Sequence, residues 1–338
     1  MTETTTRPTM SELARTAGVS LPTFSKVLNG RPGVSKSMRE RVTLLLTENG
    51  YVPRRAPGRD GGTIELVLGE LESPWALSIV RAMENAAYAE GLGVTLSRIR
   101  SGDPGGWLSM LSSRAPRGIV FGVVETSAAE QTRLRELGIP FVVIDPEGNH
   151  PMSVPTVGIA HWRGALDATN YLISLGHREI ATIGGPLRLL CSRARVDGFR
   201  AALSGAGLPL PADYVTHVDY SFEAGYAAAA RLLAQPTPPT AIFAASDEQA
   251  LGVYEAARLA HLRVPDDISV IGFNDAPIAH WASPPLTTVR EPIDDMARHA
   301  VELLSRLREG EVVGPAVELA TALVVRESTA PPPAAHTK

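Results

Sequence analysis

Two short runs of apolar residues at helical spacing stand near the start of the chain, with a glycine between them. In TMSELARTAGVS, Leu13, Ala14 and Ala17 fall on one helical face. Thr9 and Glu12 have the Thr-x-x-Glu spacing of a capping box, in which each side chain satisfies an otherwise orphaned backbone N–H, so the first helix is expected to start at Met10. Gly18 breaks it. Ser20 then opens a second helix, LPTFSKVLNG, where Pro22 is tolerated because first-turn N–H groups have no intrahelical partner to lose. Asn29 and Gly30 are good terminators. After the turn NGRPG, Ser35 caps a third helix that runs to about Asn49, with Gly50 as its stop. Met38, Val42, Leu45 and Leu46 are its inward face. Phe24, Val27, Val34 and Tyr51 would complete a three-helix core too small to be very stable.

Residues 53–62, PRRAPGRDGG, have the texture of a linker. From Thr63 the pattern changes to continuous apolar strands alternating with helices. Strands are expected over 64–68, 94–97, 118–121, 141–144, 180–183, 241–244 and 269–271. Helices are expected over 76–90, 130–137, 162–175, 192–205, 223–233 and 249–262. Such alternation predicts an α/β fold of parallel sheets covered by helices. About 270 residues exceed what one sheet normally carries, so two similar lobes are expected.

Composition narrows this further. The 338 residues are 44% apolar, enough for several cores, and no apolar run approaches the ~20 residues that span a bilayer. The N-terminus lacks the basic and apolar regions of a signal peptide, so a cytoplasmic location is expected. Cys191 is the single cysteine, which excludes an internal disulfide and a cysteine-based zinc cluster, and no metal or cofactor is expected. The net charge of −4 is unevenly placed. Residues 1–62 hold ten basic and five acidic side chains, a net of +5, leaving 22 basic and 31 acidic for the remainder, a net of −9. A basic head on an acidic body suits a phosphate-binding module joined to a soluble domain, although arginines scattered over an ordinary helical surface would give the same count. Catalytic signatures are missing: there is no Gly-x-Ser-x-Gly elbow, no phosphate-binding Gly-x4-Gly-Lys-Ser/Thr loop and no His-Glu-x-x-His. The paired carboxylates Asp266 and Asp267 read as a solvated turn. No enzymatic activity is expected.

Several stretches, in order along the chain, resemble the lactose-repressor (LacI/GalR) family of bacterial transcription regulators. They are AGVSLPTFSKVLNG, VSKSMRERV and NGYVP in the head, then LGHREIATIGG, SRARVDGFRAAL, PTAIFAASDEQALGVYEAA, VPDDISVIGFND, PPLTTVREP and LVVREST. The resemblance implies a helix-turn-helix DNA-binding head (1–52), a linker (53–62) and a periplasmic-binding-protein-like core. Residues 63–161 and 291–320 would form its N-terminal lobe, 162–290 and 321–330 its C-terminal lobe, and 331–338 a tail. The chain would cross between lobes near 161, 291 and 321. It also implies a homodimer that binds a pseudo-palindromic double-stranded DNA operator and is controlled by a small molecule held between the lobes. A cytoplasmic sugar- or purine-binding protein without operator function is the reading from another class. The tail PPPAAHTK lacks leucine heptads, which favours a dimer over a tetramer.

By carry-over from the family, Leu21, Pro22 and Lys26 are the base-facing positions of the second helix. Leu21 and Pro22 offer only apolar surface suited to a thymine methyl, and Lys26 can reach guanine O6 or N7 without the bidentate fork of arginine. Ser20, Thr23, Ser25 and Asn29 match positions that hold phosphates and set register. Family members usually continue from Tyr-x-Pro into a short helix with a leucine wedge. Here Arg54, Arg55, Ala56, Pro57 and Gly58 follow, and the wedge position falls near Asp60, a carboxylate that cannot intercalate favourably. Arg54 and Arg55 are therefore expected to contact backbone or minor groove from an extended linker.

For the effector, Arg195 aligns with the family's effector-binding arginine. Asn274 stands where an aspartate is common, and Trp75 falls at a cleft aromatic. Tyr220 or Phe222 would supply the opposite wall. Ser246 and Asp247 follow a strand end, and His161 lies at a lobe crossing. Trp75 would serve equally as helix-packing core, and Asp247 as a helix cap. The stretches ESPWALSIVRAMENA and LLCSRARVDGF are similar to actinobacterial regulators of xylose or xylo-oligosaccharide use, which implies a pentose or plant-wall sugar, with purines as the alternative.

Overall fold

The two N-terminal helices form where the apolar spacing puts them, as α1 (Met10–Thr16) and α2 (Leu21–Leu28). Between them Gly18 takes φ +65°, a left-handed conformation that costs glycine little, and its N–H donates to the Arg15 carbonyl at 3.1 Å. Ser20 opens α2 by accepting the Thr23 N–H on its hydroxyl at 3.3 Å. A third helical segment includes residues 37–39, 41, 42 and 45, and Arg41 reaches back to the Ala17 carbonyl at 2.7 Å. Leu13, Ala14, Ala17, Phe24 and Val42 are buried together, with Val19, Val27, Met38 and Leu45 packed against them. This computed structural model describes residues 10–28, 34, 35, 37–39, 41, 42, 45, 62–99, 108, 111, 114–123, 127–146, 148, 154–314 and 316–333. Thr9 of the expected capping box, together with Leu46, Gly50, Tyr51 and the linker through residue 61, lies outside them.

Residues 1–61 and 62–338 are separate units. The second is two six-stranded sheets. One contains β1 (Thr63–Leu68), β2 (Gly93–Arg98), β3 (Gly118–Gly122), β4 (Phe141–Ile144), β5 (Thr156–Ile159) and β11 (Ala316–Leu319), in the order β11-β5-β4-β3-β1-β2. The other contains β6 (Ile180–Gly184), β7 (Val215–His217), β8 (Ala241–Ala244), β9 (Ser269–Asn274), β10 (Thr287–Arg290) and β12 (Ala322–Val324), in the order β12-β10-β9-β8-β6-β7. Every pairing is parallel except β10 with β12. Each of the seven expected stretches forms a strand. Strands β5, β7, β10, β11 and β12 are additional, and three of these, β7, β11 and β12, lie at sheet edges where short sequences carry little apolar pattern.

The helices are α3 (Pro74–Ala89), α4 (Ala128–Glu136), α5 (His161–Ser174), α6 (Leu190–Gly205), α7 (Phe222–Leu233), α8 (Asp247–Leu259), α9 (Pro277–Trp281) and α10 (Ile293–Arg308). Helices α9 and α10 are additions to the expected set, and α10 packs on α3 against the first sheet. Its buried Met296, Ala297, Ala300, Val301 and Leu304 recur at i, i+1, i+4, i+5 and i+8, a single core-facing stripe. The chain passes from the first sheet to the second between β5 and α5, returns between β10 and α10, and passes over again between β11 and β12. The first and third passages are joined, because the Ala160 N–H donates to the Leu319 carbonyl at 2.9 Å.

Candidate functional site

Both sheets present the carboxyl ends of parallel strands to one cavity of about 450 Å³, the position where open α/β sheets gather ligand-binding loops. Three of its lining residues, Val123 (φ 46°), Asp145 (φ 50°) and Asn274 (φ 117°), have positive φ although none is glycine. They follow β3, follow β4 and end β9 respectively. A β-branched residue in that region is strained, and such strain persists where the surrounding fold over-determines it, commonly at binding sites.

The aromatic walls come from both lobes. Trp75 stands in the first turn of α3, whose N-cap Ser73 accepts the Ala76 N–H at 3.1 Å. Tyr220 follows β7, and a side chain at Gly185 would collide with its ring, so only glycine lets the tyrosine lie flat there. Tyr220 Oη lies 3.9 Å from the Cys191 sulfur. Burial, followed by Asp145, pushes the Cys191 thiol up to about 11, so it is a neutral filler of the wall.

Beneath the cavity a continuous polar chain joins the lobes. The Arg195 guanidinium donates from Nη2 to Glu291 Oε1 at 2.8 Å, from Nη1 to the Ala245 carbonyl at 2.5 Å, and from Nε to His161 Nδ1 at 3.2 Å. With Nδ1 accepting, the His161 ring presents its Nε2–H to Asp145 Oδ1 at 2.5 Å. Burial works against the Asp145 charge, yet His161 and then Arg195 hold its carboxyl below the usual value. Glu291 accepts two further bonds, from Trp75 Nε1 at 2.9 Å and from Asn274 Nδ2 at 3.1 Å. The Phe273 ring lies under the guanidinium, its centroid 3.7 Å from Cζ. Asp145 and Trp75 belong to the first lobe and Arg195 and Asn274 to the second, while His161 and Glu291 stand at the first two passages between sheets.

The expected effector residues divide by position. Trp75, Arg195, Tyr220, Ser246 and Asn274 line the cavity. His161 is buried one layer behind, against Asp145 and Arg195. Phe222, at the start of α7, is 42% exposed and lies outside the described lining. Asp247 is fully buried: its Oδ2 accepts the Ala276 N–H at 2.8 Å and its Oδ1 the Thr288 hydroxyl at 2.5 Å, while Ser246 caps α8 through the Gln249 N–H at 3.1 Å. Gly272 makes room for it, since a side chain there would strike Asp247 Oδ1. Burial pushes the Asp247 carboxyl up to about 8. Its geometry pins the Asn274–Ala276 loop to β10. Glu70, Asp145, Asp219 and Glu248 also line the cavity, and Glu291 supports it. Their sequence contexts offered one signal only, acidic residues just beyond apolar strands.

In the head, Leu21 is 43% exposed at the start of α2, and the Ser20 and Thr23 hydroxyls share a bond of 2.9 Å. The side chains of Pro22, Ser25 and Lys26, and all of Asn29, Arg54 and Arg55, lie outside the described residues.

Residues 9–54 match the model of bacterial regulatory proteins of the lacI family, and residues 169–329 match a periplasmic binding protein-like domain. The HTH-type transcriptional regulator CelR of Thermobifida fusca is 34% identical, covering 95% of this chain and 98% of its own. The HTH-type transcriptional repressor CytR of Escherichia coli is 32% identical over 96% of this chain and 97% of its own. Among solved structures, a CelR–cellobiose complex superposes with a TM-score of 0.73 at 34% identity, covering 95% of this chain and all of that one. A lac repressor dimer bound to operator and an anti-inducer gives 0.78 at 27% identity, covering 96% and 100%. Family matches at both ends of the chain, full-length relatives above 30% identity, and a two-lobed core with a helix-turn-helix head agree: the chain belongs to the lacI family of bacterial regulatory proteins and is a DNA-binding transcriptional regulator.

Proposed function

We propose that this regulator is a homodimeric repressor whose grip on a pseudo-palindromic operator is set by a plant-wall sugar of one or two rings bound between the lobes. The observation that carries this reading is the cavity itself. At about 450 Å³ it falls within the range of small-molecule sites, and it pairs two aromatic faces with hydrogen-bonding groups from both lobes. Sugar rings have apolar C–H faces and polar edges, which Trp75 and Tyr220 on one hand and Asn274, Ser246, Glu248 and Arg195 on the other suit. The relative crystallised with cellobiose supports a plant-wall sugar, and the E. coli ribose operon repressor, 32% identical over 88% of this chain, keeps pentoses in the set.

Dimerisation through the core is supported by exposed apolar side chains on both lobes: Leu77 and Tyr88 on α3, Leu259 on α8 and Trp281 on α9, the last 77% exposed. In the head, Leu21 and Pro22 would face thymine methyls and Lys26 one guanine, with Ser20, Thr23, Ser25, Asn29, Arg54 and Arg55 on the sugar-phosphate backbone. Sugar closing the cleft would reset the lobe angle, and with it the spacing of two heads, a coupling of about 1–3 kcal/mol.

Thermal-shift screening of the full chain against pentoses, glucose, their β-linked disaccharides and nucleobases, followed by gel shifts with selected operator DNA, tests the reading. A stabilising sugar that changes operator affinity is expected. Stabilisation by nucleobases alone would replace the ligand class.

A further inference from the structure

We infer that the cleft is a site for uncharged sugars, closed to sugar phosphates and uronic acids, and that Glu291 is the residue that sets this selectivity. The inference rests on the cleft being the effector site. Among its described lining residues, four carboxylates, Glu70, Asp145, Asp219 and Glu248, stand against two guanidiniums, Arg188 and Arg195. The deeper cation, Arg195, is 4% exposed, and its charge is matched at 2.8 Å by Glu291. Two more of its N–H groups are committed, to the Ala245 carbonyl and His161. A guanidinium neutralised at contact can still donate a remaining N–H to a hydroxyl, but it offers little net field to an anion.

The acidic side of the cavity adds to this. Glu70 follows β1 in one lobe and Glu248 opens α8 in the other, yet they are close enough that burial and then Glu70 push the Glu248 carboxyl up to about 7. A phosphate or carboxylate entering between them would add negative charge beside Glu70 and a Glu248 that already holds its proton about half the time near neutral pH, in a partly desolvated space. A hydroxyl donates to either carboxylate instead, and such bonds are stronger than neutral ones.

Glu291 does not line the cavity. It acts through the groups it holds, receiving Trp75 Nε1 from one lobe and Arg195 Nη2 and Asn274 Nδ2 from the other. It is a positioning residue, and its charge decides whether Arg195 presents a cation or a neutral donor.

Calorimetry on the full chain with glucose, xylose, cellobiose and xylobiose against glucose 6-phosphate, glucuronate and galacturonate tests this. The wild type is expected to bind at least one neutral sugar, with every anionic one at least about thirtyfold weaker. Glu291→Gln keeps volume and an acceptor for Arg195 but frees its charge, so the ratio should narrow about tenfold, with the anionic binding now weakened by salt. Glu248→Gln, an isosteric change at a half-buried position in the first turn of α8, should narrow it about threefold and serves if Glu291→Gln does not fold. An anionic sugar bound by the wild type as tightly as a neutral one overturns the inference and leaves the cleft reading standing. An unchanged ratio in folded Glu291→Gln overturns the role of Glu291. Binding of neither class overturns the cleft reading itself.

Discussion

The two lobes of the core share a strand order but differ in what they place at the cavity. Among the described residues, the second lobe buries many polar side chains and satisfies most of them internally. His177 bonds Thr240 at 2.9 Å and the Ala330 carbonyl at 2.9 Å, Ser328 accepts the Thr287 N–H at 2.8 Å, and Asp247 ties α8 to the loop after β9 and to β10. The first lobe offers mainly an apolar floor, with Glu65, Gln131 and Asp145 as its buried polar residues. Its cavity-facing edge relies on exposed Glu70 and on Trp75, while left-handed backbone is found on both sides, at Val123 and Asp145 here and at Asn274 and Asp275 in the second lobe. The second lobe is therefore the more preorganised half, its binding groups held by internal bonds, and the first lobe is expected to be the half that adjusts.

That difference can be broken or sharpened by substitution. The largest effect is expected for Arg195→Ala on the preorganised side. It strands buried Glu291, so unfolding by urea should show a loss of about 3–5 kcal/mol, and calorimetry should show sugar binding lost. Next comes Asp247. Its carboxyl moves from 3.8 to about 8 on folding, so the folded state holds a proton that the unfolded chain has released between those values. The Asp247 contribution to stability should be full below about pH 4 and be lost as pH rises toward 8, which the wild type minus Asp247→Asn difference isolates from carboxylates such as Asp145 whose shift has the opposite sign. Asp247→Asn carries the neutral form permanently, and its urea midpoint should be flatter across the same window. A wild type minus Asp247→Asn difference that stays constant through this window would show that Asp247 holds no extra proton in the fold.

On the adjusting side the costs are smaller. Trp75→Phe keeps a ring but removes the N–H given to buried Glu291, so sugar affinity should drop by about 1 kcal/mol, roughly fivefold, and stability by a similar amount, well short of the loss in Arg195→Ala. The smallest effect is expected for Glu70→Gln. Burial is the larger cause of the raised Glu248 carboxyl and the Glu70 charge the second, so the Glu248 titration followed by NMR should move only part of the way down from about 7. If Trp75→Phe destabilises as much as Arg195→Ala, the two lobes do not differ in the way described.

The sequence carried the alternating architecture well because buried parallel strands read as continuous apolar runs: LVL in β1, IVF in β3 and AIFA in β8. Helix α10 carries a clear stripe of its own and is readable on the same terms. Strands β7 and β12 are only three residues long, and β11, AVEL, alternates exposed and half-buried positions at a sheet edge, so none reads as a buried apolar run. At the cavity, the aromatic and guanidinium groups were legible through the family motifs, whereas Glu291 was not. A glutamate before proline in VREP reads as a solvated loop, and only tertiary packing makes it the acceptor for three side chains. The left-handed Val123 and Asp145 are likewise invisible, because the conformation is imposed by the fold and not by residue type. Asp247 reads from the sequence as an effector contact, or else as a helix cap, but its buried carboxylate bonds other elements while Ser246 does the capping.

Regulation of this kind turns on one coupling, between sugar in the cleft and DNA at the heads. Fluorescence anisotropy of operator DNA, selected with the full chain and titrated with and without saturating sugar, measures it directly. A change in operator Kd of about 5- to 150-fold is predicted for the wild type, and none for Arg195→Ala. A sugar that binds the wild type by calorimetry yet leaves its operator Kd unchanged would contradict the account.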